Sequence, residues 1–244
     1  MNAAVQDIKE RMHNGEYGRP LFIRGHYLQE SHCKSTDYSK RLVPETSRAR
    51  ALADIGSHLA DIVGCVMCQP IKSVMADMHT HYPYRIDPNT GDEIEIRSDD
   101  TTTVLFRLLD GTPGMLLVSK VSSGHKNDLF FAVDTDECEV GWYQEQSDRI
   151  YISKREIGNT EIYIDSKYTS ATVSQYISLP PGHVMGWSDA LRNSINAYYQ
   201  SIWSGTYLSS KQPYATFKDG WYTNLFIDAC IISSKEKRWV DIVY

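Results

Sequence analysis

The sequence predicts an α+β domain: a large, mostly antiparallel, open-faced β-sheet with helices on one face. Between residues 101 and 153, short strand-like runs follow one another at regular spacing, with turn residues between them. That rhythm marks antiparallel strands and not βαβ units. Helical apolar stripes stand before this run, within residues 53–67 and after it. The third observation is composition: 244 residues, 41% hydrophobic and 23% charged, describe a globular chain long enough to bury a large core.

Asn2 suits a helix N-cap, and Ala4, Val5, Ile8 and Met12 follow at helical spacing. Asn14-Gly15 ends that helix, and Gly18 and Pro20 punctuate its exit. Residues 21–28 read as a strand. Residues 29–49 are polar and aperiodic, a long connection of the kind that carries function in compact domains. A helix is predicted over about 53–67 on the stripe Ile55, Leu59, Ile62, Val63 and Val66. Residues 71–84 are strand-like, and 87–91 break them. Strands at 101–109 and 114–121 flank the hairpin signal Asp110-Gly111, and further strands follow at 129–133, 139–143 and 149–153. Pro180, Pro181 and two glycines make 178–186 a loop. Leu191, Ile195, Tyr198, Tyr199 and Ile202 predict a helix over 187–203. Tyr222, Leu225, Phe226, Ala229 and Ile232 predict another over 221–233, and 239–243 reads as a final strand.

Several function classes are disfavoured. A net charge of −6 argues against a nucleic-acid binder. No apolar run approaches the roughly 18 residues of a spanning helix, so no membrane partner is expected. Residues 1–17 are mixed polar and charged, unlike a secretory leader. The five cysteines are scattered and odd in number, which predicts reduced thiols and a cytoplasmic location. No GxGxxG and no GxxxxGK[ST] occurs, so the chain lacks the usual loop for a dinucleotide or nucleoside triphosphate.

The sharpest local feature is Asp54-Ile55-Gly56-Ser57-His58-Leu59-Ala60-Asp61. At about 100° per residue, Asp54, His58 and Asp61 lie within about 60° of one another on a helix. A carboxylate one turn from an imidazole can orient the ring for general acid–base work. A solvated polar helix face fits the same spacing. Cys65-Val66-Met67-Cys68 stands without a second pair, which predicts buried thiols at a helix end and not zinc. His79 and His81 share one side of a strand, with no third metal ligand nearby in sequence. His183 sits on a tight loop after Pro180-Pro181-Gly182. Gly124-His125-Lys126-Asn127 is either a contact for an anionic or hydroxylated ligand or a polar strand connection.

Taken together, these segments resemble the Gfo/Idh/MocA family of NAD(P)-dependent sugar and polyol dehydrogenases. The resemblance starts at Glu16-Tyr17-Gly18-Arg19-Pro20, Tyr27-Leu28-Gln29 and Thr36-Asp37-Tyr38, and passes through Asp54-Ile55-Gly56-Ser57-His58. It continues with residues 121–127, Trp142-Tyr143-Gln144-Glu145, Pro181-Gly182-His183, Phe217-Lys218-Asp219-Gly220 and Arg238-Trp239-Val240. It covers nearly the whole chain.

The resemblance implies the family's open-faced sheet domain, with residues 1–18 like the end of a nucleotide-binding domain and 19–244 as the substrate-binding and oligomerisation domain. It implies Asp54 and His58 as catalytic residues and Tyr27, Gln29, Arg50, Lys126 and His183 as substrate-binding ones. It implies NAD or NADP as cofactor, a small sugar- or polyol-like ligand, and a homo-oligomer formed through the open sheet face. The family's glycine-rich loop and catalytic lysine are absent here. The expectation is therefore that the chain alone binds no cofactor and is inactive, with a separate nucleotide-binding half as a further partner. A non-catalytic carbohydrate-binding or structural module, or a truncated gene product, is the alternative. Departures stand at Lys40, where the family tends to have Trp, before Arg50, where it has a glycine pair, and at Trp221, where it has His.

Overall fold

A computed structural model describes residues 1–39, 42, 48–209 and 212–244; Lys40 lies outside them. The chain begins with α1 (Ala3–His13), capped by the Asn2 side chain, which accepts a hydrogen bond from the Val5 N–H at 3.2 Å. β1 (Pro20–Leu28) follows. A π-helical turn (Leu52–Gly56) leads directly into α2 (Ser57–Met67). Next come β2 (Ile71–His79) and a small separate hairpin of β3 (Tyr84–Ile86) and β4 (Glu93–Glu95). β5 (Thr101–Leu108), β6 (Pro113–Ser119), β7 (Asp128–Thr135), β8 (Glu139–Tyr143), β9 (Arg149–Lys154) and β10 (Gly158–Tyr163) run in succession. Last are α3 (Ala171–Ser174), α4 (Trp187–Trp203), α5 (Phe217–Glu236) and β11 (Val240–Asp241).

Nine strands form one sheet in the order β10-β9-β8-β7-β1-β6-β5-β2-β11. Only β1 with β6 is parallel; every other neighbouring pair is antiparallel. The α+β reading therefore stands. Strict alternation in β5 sends Thr102, Val104, Phe106 and Leu108 inward and Thr103, Leu105 and Arg107 outward. The inward side chains meet the apolar stripe of α2 (Leu59, Val63, Val66) and Phe226 of α5. α2 packs on β1, and between α1 and α5, while α5 packs on β2.

Two glycines allow close approach. A Cβ at Gly114 would lie 2.2 Å from the Phe106 ring and 2.6 Å from the Ile23 carbonyl oxygen. A Cβ at Gly56 would lie 2.9 Å from Leu52 and 3.1 Å from Val118, so glycine seats the π turn against β6.

The structure corrects several boundaries. The strand-like run 71–84 ends at His79, where the backbone leaves the sheet to form the β3–β4 hairpin. β10 and α3 were not expected. α5 begins four residues before 221, because Thr216 and Asp219 form a capping box in which the Thr216 N–H donates to the Asp219 carboxylate at 2.6 Å. The thiols at the end of α2 are not buried: Cys65 is half-buried and Cys68 exposed. Cys68 is the left-handed C-cap (φ 52°), a position that turns the chain outward.

Candidate active site

The site is built where the π turn meets the ends of β1 and β6. The buried Asp99 carboxylate fixes the turn: it accepts the N–H groups of Arg50 and Leu52 at 2.5 and 2.8 Å and the Thr102 hydroxyl at 2.6 Å. Those bonds satisfy donors that a helix start leaves without partners. Burial raises the pKa of Asp99, and its hydrogen bonds pull the other way. π turns inside helices recur at functional positions because they shift one side chain out of the regular helical register. Here the π turn carries Asp54.

The carboxylate of Asp54 does not meet His58. Its Oδ2 lies against the Lys120 ammonium and 3.2 Å from Nη1 of Arg50. Burial would raise the pKa of Asp54, but the hydrogen bond and charge of Lys120, aided by Arg50, outweigh it and hold the group below the usual carboxylate range. Lys120 follows β6 directly and is 3% exposed. Its Nζ also donates to Gln29 Oε1 at 3.2 Å. Desolvation pulls the Lys120 ammonium below its ordinary value, and Asp54 opposes that pull.

From Gln29 the polar network continues. Its amide donates to Asn127 Oδ1 at 3.1 Å, and the Tyr27 hydroxyl donates to the same oxygen. Gln144 donates to the Asn127 carbonyl at 3.1 Å, and the Asn127 N–H donates to Glu145 at 3.1 Å. Burial raises the phenol pKa of Tyr27. The exposed imidazole of His58 stands edge-on to the Tyr27 ring, with centroids 6.0 Å apart.

Of the residues singled out in the sequence, Tyr27, Gln29, Arg50, Asp54 and His58 thus come together. Lys126 stands beside them but is turned to Glu30. His183 does not join: it is exposed, and its Nδ1 lies 3.1 Å from the Pro180 carbonyl of its own loop. Lys120 and the role of Asn127 were missed. The available signal for Lys120 was a lysine ending the apolar run Met115-Leu116-Leu117-Val118, where a charge is buried only with a partner.

His79 and His81 touch as rings, with centroids 4.5 Å apart. Among the described residues no group of three or more His, Cys, Asp or Glu side chains is placed to hold a metal. No helix among them is long and apolar enough to cross a membrane. A cavity of about 420 Å³ lies elsewhere, lined by Ile150, Ile152, Ile162, Tyr17 and the Asp7–Arg11 pair. It shares no residue with the Asp54 cluster. Its largely aliphatic wall, with one ion pair already satisfied at 2.8 Å, offers no comparable convergence of polar groups.

A dinucleotide needs a strand, a glycine-rich turn and a helix N-terminus in a parallel βαβ unit. The sequence has no such glycine loop, and the parallel pair β1 and β6 is flanked on both sides by antiparallel neighbours, β7 and β5. The described residues do not form a dinucleotide site of that kind.

Residues 5–140 match the model of the GFO/IDH/MocA C-terminal domain. Over 98% of its length the chain is 23% identical to the levoglucosan dehydrogenase of Pseudarthrobacter phenanthrenivorans, of which it covers 64%. It superposes with a TM-score of 0.87 on levoglucosan dehydrogenase in complex with NADH and L-sorbose, at 21% identity, covering 99% of this chain and 63% of that one. The score is also 0.87 for an oxidoreductase domain protein from Kribbella flavida, at 20% identity, covering 99% and 64% of the two chains. The chain spans less than two thirds of the length of each of these relatives.

Proposed function

The chain belongs to the Gfo/Idh/MocA family, and on that premise we propose that it is the substrate-binding and oligomerisation part of an NAD(P)-dependent dehydrogenase acting at a CH–OH group of a sugar or polyol. The observation that carries this reading is the convergence of Tyr27, Gln29, Arg50, Asp54 and His58 with Lys120 and Asn127 in one polar patch. Oxidation of an alcohol removes a hydride from carbon and a proton from oxygen. A nicotinamide, brought by a nucleotide-binding part, would supply the hydride acceptor. This chain deals with the hydroxyl: His58, exposed on α2, receives its proton, and Asp54 anchors it one turn earlier. Tyr27 backs the imidazole, and Gln29 and Arg50 complete the wall. Residues 1–18 form the end of the nucleotide-binding part and 19–244 the substrate domain.

In this reading, copies of the chain assemble into a homo-oligomer through the open sheet face. Leu105 and Met115 stand 46% and 37% exposed there, on central strands. Such a face on central strands favours burial against a second copy. NAD and NADP are equally compatible with this chain, since neither is held by it.

A fluorescence titration of the purified chain with NADH and NADPH tests the reading. The expected result is no saturable binding to millimolar cofactor, with hydride-transfer activity recovered on adding a nucleotide-binding half and lost again in His58→Ala. Saturable micromolar binding by the chain alone overturns it. The second reading is a carbohydrate-binding module without turnover. It predicts sugar binding that survives His58→Ala and no turnover with any nucleotide-binding half.

A further inference from the structure

A buried lysine is costly unless its charge is matched, and it titrates toward neutrality when it is not. Lys120 is such a lysine, and its side chain, 4% exposed, is too enclosed to meet a ligand itself. What it meets is one oxygen of Asp54. Lys120 and Arg50 both address Oδ2. Among the described residues, no hydrogen bond reaches Oδ1 of Asp54, and the side chain is 32% exposed. Both cations are therefore drawn to the same oxygen of the carboxylate.

We propose that Lys120 is the positioning residue of this site: with Arg50 it holds Asp54 as an anion turned so that Oδ1 accepts a hydrogen bond from a hydroxyl of a polyhydroxylated ligand. The ligand class rests on the function proposed above; the role of the lysine does not. The surrounding charges act in the same sense. Arg50 comes from the segment before the π turn, and Asp99 from the segment before β5, where its oxygens are already taken by N–H and hydroxyl donors. His32, on the connection after β1, is uncharged near neutral pH, its pKa pushed down to about 4 by burial and by Lys120, Arg85 and Arg50. Asp100 is engaged with Arg85 at 2.8 Å. Lys120 therefore has Asp54 as its anionic partner and Gln29 as its neutral one.

Carbon-13 NMR of carboxyl-labelled aspartate, on the ligand-free chain, reads the charge of Asp54 directly. In the wild type and in Lys120→Arg, Asp54 is expected to titrate below the ordinary aspartate value of roughly 3.9. In Lys120→Met, which keeps the apolar stem, it is expected to titrate above that value. Calorimetric titration with L-sorbose and levoglucosan is expected to show binding weakened about tenfold or more in Lys120→Met, and restored in Lys120→Arg. An Asp54 midpoint that does not move between wild type and Lys120→Met overturns the proposal. If Lys120→Met does not fold, a wild-type midpoint at or above the ordinary value overturns it equally. Sugar binding unchanged in a folded Lys120→Met, or no sugar binding by the wild type, overturns the ligand half alone. The cofactor titration described above has no bearing on any of these readouts, so the two proposals fail separately.

Discussion

Arg85 and Asp100, both without solvent exposure, pin the connection after β1 over the site. The Arg85 guanidinium donates to the carbonyls of Lys34 (2.6 Å), Asp37 (3.0 Å) and His32 (3.1 Å) and to Asp100 (2.8 Å), and it stacks on Tyr82 at 4.7 Å. Arg85→Met keeps the stem and removes every one of these bonds. Breaking a buried pair by removing one partner costs about 3–5 kcal/mol, because the other charge is stranded. The second oxygen of Asp100 still accepts the N–H groups of His81 and Tyr82, so the value belongs at the lower end of that range. For a chain of this length, each kcal/mol corresponds to roughly 2–4 °C in Tm. Arg85→Met should therefore lower Tm by about 6–12 °C in calorimetry, with faster amide exchange across residues 31–39. Because Asp100 is the stranded charge, Arg85→Met with Asp100→Leu should recover part of the loss. A Tm drop under about 2 °C with unchanged exchange would show that the loop is held by other contacts, and the argument from the buried pair would be wrong.

His32 is neutral in the fold and charges more easily when unfolded, so the stability it contributes is present above about pH 6.5 and is lost as pH falls toward about 4. The loss amounts to roughly 3 kcal/mol, and urea titrations of His32→Gln should lack that part of the slope; curves parallel to wild type from pH 7 to 4 refute it. Gly114→Ala drives a Cβ to 2.2 Å from a buried ring and 2.6 Å from backbone, and should cost about 3 kcal/mol or more in the same assay. Met115→Lys with Leu105→Lys should convert the oligomer to monomer in sedimentation while leaving Tm nearly unchanged, since both side chains point away from the core. A persistent oligomer would move the interface off the open face.

Much of the fold is visible in the sequence because the physics that sets it is local. Asp110-Gly111 marks the turn between β5 and β6, and the stripe from Trp187 to Trp203 predicts that helix to the residue. β10 was invisible because it is an edge strand exposed along its whole length, with no buried face to leave a pattern. The early start of α5 is legible in Thr216 and Asp219, three residues apart, ahead of the apolar stripe that begins at Tyr222. At the site, the spacing of Asp54 and His58 points to this turn of chain but pairs the carboxylate with an imidazole that it does not touch. A regular 100° step per residue does not hold through a π turn, and the partner that Asp54 takes, Lys120, comes from a strand far along the chain. No local spacing encodes a contact made by tertiary packing.

The position of β1 has a consequence for how the molecule acquires this structure. The first strand of the chain is a central strand of the sheet, and Ile23 waits for Gly114 on one side and Val133 on the other. During synthesis the opening strand therefore leaves the ribosome with neither neighbour made, its hydrogen-bonding edges open on both sides. Pairings so distant in sequence slow the search for the native arrangement. Until residues past 133 have emerged, the segment that later carries Tyr27 and Gln29 is an unpaired strand in need of protection from its own kind.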